Sequence, residues 1–99
     1  MAINSGRQVV AEAGEAVALA GSTAIVSVTI TALSTNTKLV VLGGKDVVAA
    51  AGTRKGTPLA AGESIKFGEE LDAIDDLSSI WLDAEVNGEG VSYSYGHRP

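Results

Sequence analysis

The sequence predicts an all-β fold, a small β-sandwich or jelly-roll-like barrel of six to eight short strands with an N-terminal arm. Three observations predict it. β-branched residues alternate strictly with polar ones in several runs, glycines punctuate the chain (12 in 99 residues), and no segment carries an apolar stripe at the helical period. At this length residues 1–99 make a single domain. Residues 1–13 are read as an extended arm or an edge strand, because a terminus is loosely held unless something ties it down.

Gly14 and Gly21 bracket a segment whose Val17/Leu19 spacing favours a strand. In Ile25–Ala32, Val26, Val28, Ile30 and Ala32 fall on one side and Ser27, Thr29 and Thr31 on the other, as a half-buried strand requires. Leu39-Val40-Val41-Leu42 is a short apolar strand ended by Gly43-Gly44. Ala49–Thr57, with Gly52 and Gly56, reads as a loop, and Ser64-Ile65-Lys66-Phe67 as a strand after the Ala61-Gly62 turn. Ile80, Leu82, Ala84 and Val86 alternate with Trp81, Asp83 and Glu85, and Val91, Tyr93 and Tyr95 with Ser92 and Ser94. Asn87-Gly88-Glu89-Gly90 between them predicts a terminal β-hairpin, since Asn-Gly tolerates positive φ. Ala13-Gly14-Glu15-x-Val17-x-Leu19 also echoes Ala61-Gly62-Glu63-x-Ile65-x-Phe67, either as two similar turn-and-strand units in facing sheets or as repeated turn chemistry.

Composition excludes more chemistry than it suggests. With no cysteine there are no disulfides, thiolate metal sites or cysteine nucleophiles, and the single histidine, His97, stands beside Arg98 and Pro99. No cofactor is expected, no metal site and no catalytic residue, and the chain reads as not an enzyme. The net charge of -5 disfavours nucleic acid and anionic membranes. All of it lies in residues 51–99, because residues 1–50 balance Arg7, Lys38 and Lys45 against Glu12, Glu15 and Asp46. The uncharged stretch from Glu15 to Lys38 holds too many Ser and Thr for a membrane span, and no signal peptide is read at the start. The acidic run Glu69, Glu70, Asp72, Asp75 and Asp76 reads as a solvated loop; calcium is the alternative, without EF-hand spacing. Gly43-Gly44-Lys45-Asp46 reads as a tight turn, since it lacks the phosphate-loop pattern.

The candidate interface residues are Ser27, Thr29, Thr31, Arg54, Lys55, Trp81, Asp83 and Glu85. Sheet faces in water usually carry Lys and Glu, so a neutral hydroxyl face implies a second packed layer or a neighbouring subunit. Trp81 faces outward with Asp83 and Glu85 if Leu82 and Ala84 face the core; it is then an interface anchor or is covered by a loop such as Ala49–Thr57. Arg54-Lys55 is a basic spot for an acidic partner, or plain solvated surface.

Four motifs lie along residues 25–95: Leu33-Ser34-Thr35-Asn36-Thr37-x-Leu39-Val40-Val41-x-Gly43-Gly44-x-Asp46-Val47, Gly56-Thr57-Pro58-Leu59-Ala60-Ala61-Gly62-Glu63-Ser64-Ile65, Asp76-Leu77-Ser78-Ser79-Ile80-Trp81-Leu82 and Gly88-x-Gly90-Val91-Ser92-Tyr93. On these residues the chain resembles small β-sandwich proteins encoded among the virion genes of tailed bacteriophages. The acidic insertion Glu69–Asp76 departs from the family pattern. The resemblance implies a non-enzymatic virion component, a head decoration or cement protein made in the host bacterial cytoplasm and bound to the major capsid protein lattice as a homotrimer. Head-fibre and tail components, or a module recognising host-surface carbohydrate, are the alternatives.

Overall fold

The computed structural model describes residues 3–21, 25–68 and 76–97. The described residues form eight strands: β1 (Ile3–Val9), β2 (Val17–Ala18), β3 (Ile25–Ala32), β4 (Val40–Gly43), β5 (Thr57–Leu59), β6 (Ser64–Gly68), β7 (Trp81–Ala84) and β8 (Gly90–His97). They build two four-stranded sheets, ordered β1-β8-β3-β6 and β2-β7-β4-β5, with every pairing antiparallel. This is the jelly-roll order, in which the chain changes sheet at every connection except β4 to β5.

Alternation decides which side chains fill the space between the sheets. Val28, Ile30, Ala32 and Val91 of the first sheet meet Val40, Leu42, Leu59, Leu82 and Ala84 of the second. Val10, Leu19, Ile25, Leu77 and Ile80 complete the same cluster. Leu77 sits in a 3-10 turn, Leu77–Ser79, capped by Asp76, whose Oδ1 accepts from the Ser78 backbone N–H and hydroxyl at 2.8 Å each. Asp76 therefore begins an element; the rest of the acidic run lies outside the described residues.

β4 is apolar at every residue from Val40 to Leu42 because both its faces are covered. Val40 and Leu42 enter the main core, while Val41 joins Val47, Ala49, Ala16 and Trp81 in a second cluster on the far side of the sheet.

Several expectations change. No β7–β8 hairpin forms: β7 pairs with β2 and β4, and β8 with β1 and β3. Asn87-Gly88 does turn the chain, with Gly88 at φ 83, but the turn is an arch between sheets. Backbone bonds elsewhere redirect it: Val10 N–H donates to Glu89 O (2.9 Å), Gly88 N–H to Val10 O (2.7 Å) and Glu85 N–H to Leu39 O (3.2 Å). Residues 3–9 are an edge strand, paired with β8 from Ile3↔Gly96 to Val9↔Gly90, so nothing of an arm is left in that stretch. β2 is only two residues long, and β5 emerges from a stretch with no periodic signal. His97 ends β8, in register with Ile25. The two Ala-Gly-Glu units lie in facing sheets, each with a positive-φ glycine (Gly14 φ 94, Gly62 φ 83) and a matching turn bond, Glu15 N–H to Glu12 O and Glu63 N–H to Ala60 O.

Candidate interaction surface

The two outer faces of the sandwich differ. On the second sheet, the chain covers its own face. Segment 47–49 lies over Val41 and Trp81, leaving Trp81 half-buried. Asp83, two residues beyond Trp81, is 1% exposed. Its Oδ1 accepts from Gly14 N–H (2.9 Å) and Ala84 N–H (2.9 Å), and its Oδ2 from Ala49 N–H (3.0 Å). One buried carboxylate thus ties the β1–β2 turn and the β4–β5 connection to β7. A buried acid satisfied by three backbone donors is a structural clasp.

Arg54 and Glu85 hold the same connection from outside. Arg54 Nη2 lies 3.1 Å from Glu85 Oε1, and Arg54 Nε donates to Ala49 O at 3.2 Å. The loop is closed by the Val48↔Lys55 bridge, while the Lys55 side chain stays exposed. Of the two readings of Trp81, interface anchor or cover by the chain's own loop, the structure shows the loop over it; Asp83, read as outward-facing, is instead buried beneath that loop, and Glu85 is engaged by Arg54.

The first sheet presents the opposite picture. Its outward positions run in cross-strand rows: Arg7, Ser92, Thr31 and Ser64; then Ser5, Ser94, Thr29 and Lys66; then Ile3, Gly96 and Ser27. Among the described residues these rows hold seven hydroxyls, two cations and no carboxylate. Thr31 Oγ1 and Ser64 Oγ are hydrogen-bonded at 2.7 Å. Small side chains leave two shallow depressions of about 260 Å³ each, which share Thr29 and Ser94. No segment among the described residues crosses this face, so Ser27, Thr29 and Thr31 stand where the alternation places them. They are brought together with Ser5, Arg7, Ser92 and Ser94, partners that only the β1–β8–β3 register reveals.

A wider groove of about 470 Å³ opens at the end of the sandwich, lined by Asn36, Thr37, Lys38, Leu39, Ala60, Ala61 and Glu85. Its acid is already engaged, because Glu85 Oε1 faces Arg54 and accepts from Leu39 N–H at 3.3 Å.

Sequence reasoning missed Glu89 and Asn36, which lock the β3–β4 connection. Glu89 accepts from Thr37 N–H (2.7 Å), Thr37 Oγ1 (2.8 Å) and Lys38 N–H (3.2 Å), and these donors, the Thr37 backbone first, hold its carboxyl below the usual range against the opposing cost of burial. Asn36 exchanges two bonds with Gly90, donating from Nδ2 to the carbonyl (2.9 Å) and accepting the N–H (3.3 Å). Residue types alone give no sign of these partnerships, since the pairs lie more than fifty residues apart.

No three histidine, cysteine, aspartate or glutamate residues converge in a metal-binding group among the described residues, and no helix there is long and apolar enough to cross a membrane. No family model, curated protein or solved structure matches the chain, so its likeness to virion proteins rests on the motif residues quoted above.

Proposed function

We propose that the chain is a non-enzymatic structural protein of a tailed-bacteriophage virion, a head decoration (cement) protein that binds the outer capsid lattice. The observation that carries this reading is the outer face of the first sheet. In a chain of net charge -5, four strands align hydroxyls and two cations with no carboxylate among the described positions. Hydroxyl faces adapt to neighbouring backbone by donating and accepting, and leaving carboxylates off one face lowers its repulsion toward any acidic partner. Jelly rolls recur in viral capsid and lectin domains, a fold-level analogy that adds to the motif resemblance. The carbohydrate alternative is less favoured, because Trp81, the aromatic it would use as a platform, lies half-buried under its own loop.

Binding to heads is the direct test. Heads of the encoding phage prepared without this protein are mixed with it and pelleted. Wild-type protein is expected to co-sediment with them. Thr29→Glu and Thr31→Glu, which place carboxylates on the face, are expected to weaken binding at least ~10-fold. Recovery on tails or fibres, or no co-sedimentation, would overturn the assignment to the head.

A further inference from the structure

The four sheet edges are protected unequally. In the second sheet, β2 is two residues long and β5 is three with Pro58 at its centre. In the first sheet, β6 carries Lys66 at its midpoint. Short length, proline and lysine are the usual devices that keep an edge from pairing. β1 is seven residues long, without proline, and begins at Ile3, the large hydrophobic that stands 82% exposed.

Hydrogen-bond alternation shows which groups β1 leaves open. Gly90 O accepts from Leu33 N–H at 3.1 Å, so Gly90 turns its backbone toward β3 and its partner Val9 is a non-bonded position, while Val10 N–H on the next residue bonds Glu89 O at 2.9 Å. The bonded positions recur every second residue, so Gln8, Gly6 and Asn4 point their amides at β8. Ile3, Ser5, Arg7 and Val9 therefore turn their N–H and C=O groups outward. The Val9 N–H is met by its neighbour's side chain, Gln8 Oε1 at 3.2 Å, as an open-edge donor would be.

We propose that this edge pairs with the same edge of a second copy, antiparallel about a two-fold axis at Gly6. That register sets Ile3 against Val9 of the other copy and Ser5 against Arg7, so the exposed apolar residue meets an apolar one. No charge stands directly opposite a like charge. It brings open amides to open amides, for roughly eight backbone hydrogen bonds less those Gln8 already takes. Because antiparallel pairing keeps each face on its own side, the two hydroxyl faces become one eight-stranded surface. Gly6 suits the centre: a Cβ there would run into the Tyr93 ring, so the strand lies close on that ring with no side chain of its own. Edge pairing of this kind uses main-chain bonds for affinity and side-chain register for specificity.

The inference holds whether or not the protein decorates a capsid, and it differs from the threefold association the resemblance implies. Sedimentation velocity over a concentration series separates them. A species of twice the 10.0 kDa chain mass is expected. Ser5→Pro, which removes an outward N–H while sparing the β8 ladder, and Ile3→Lys are each expected to raise the dimer dissociation constant at least ~10-fold with unchanged circular dichroism. The chain has no cysteine, so oxidising a mixture of Ser5→Cys and Arg7→Cys proteins is expected to give a mixed covalent dimer without background. A monomer at every concentration, a trimer, a dimer indifferent to both edge variants, or crosslinking of Ser5→Cys with itself in preference would overturn the proposal.

Discussion

At the scale of single residues, two acids hold the molecule together for different reasons. Asp83 is fully buried and its acceptors serve Gly14, Ala49 and Ala84. Asp83→Ala strands amide donors in the interior, and a loss of about 2–4 kcal/mol is expected in urea unfolding. Asp83→Asn keeps one acceptor oxygen but turns an NH₂ toward a backbone N–H, so it is expected to be destabilising as well. Glu89 contributes through its ionised form, since its donors lower its pKa below the ordinary value of 4.5. A carboxyl depressed in the folded state stabilises fully above its unfolded pKa, and that contribution disappears as pH falls through the folded value. Glu89→Gln is therefore expected to be destabilising at neutral pH, with the gap to wild type closing in acid. Denaturant midpoints measured across that range check it, and a gap independent of pH would refute the assignment.

At the scale of elements, the decisive contacts belong to connections. The β4–β5 connection covers the second sheet through Val47, Ala49 and Trp81, and Trp81→Ala is expected to cost about 2–3 kcal/mol because its ring is only half-buried. Arg54→Ala removes a partly exposed ion pair and is expected to cost less than about 1 kcal/mol, while exposing the loop to proteolysis. Gly56 stands at φ 119 with Leu42 O 2.5 Å from where a Cβ would lie. Gly56→Ala is therefore expected to cost more than about 2 kcal/mol by thermal unfolding. β3, β6 and the alternating halves of β7 and β8 were legible in the sequence because period-2 patterning is a local signal, and β4 because a short apolar run ends at a glycine pair. β5 was not, having only Leu59 turned inward. The failed hairpin has a similar cause: Asn87-Gly88 encodes a reversal but says nothing of which sheet receives the next strand. That choice is made by Leu39, Val10 and Gly90, all remote in sequence from the turn or outside its dipeptide. The candidate surface was half legible. Ser27, Thr29 and Thr31 announced themselves by alternation, whereas Ser5, Arg7 and Ser94 joined them only through register.

At the scale of the whole molecule, the two outer faces of the sandwich differ. One sheet is backed by its own chain, and the other presents a hydroxyl face that no segment among the described residues crosses. Thr29→Ala and Ser94→Ala are expected to leave stability within about 0.5 kcal/mol of wild type, since both side chains are exposed, while lowering co-sedimentation with phage heads if the proposed function holds. A substantial loss of stability from either would mean the face is structural. The strand order has one further consequence, in time. β8 is the last strand of the described chain, yet it lies at the centre of the first sheet between β1 and β3. During synthesis β1 must wait unpaired for it and β3 can pair only with β6, while β4 and β5 are the one pair of neighbours in both chain and sheet among the described strands. Most of the ordering entropy is thus spent before the stabilising contacts form, which places folding in the millisecond-to-second range. Until β8 arrives, the first sheet is two pieces, β1 and the β3–β6 pair, awaiting the strand that joins them.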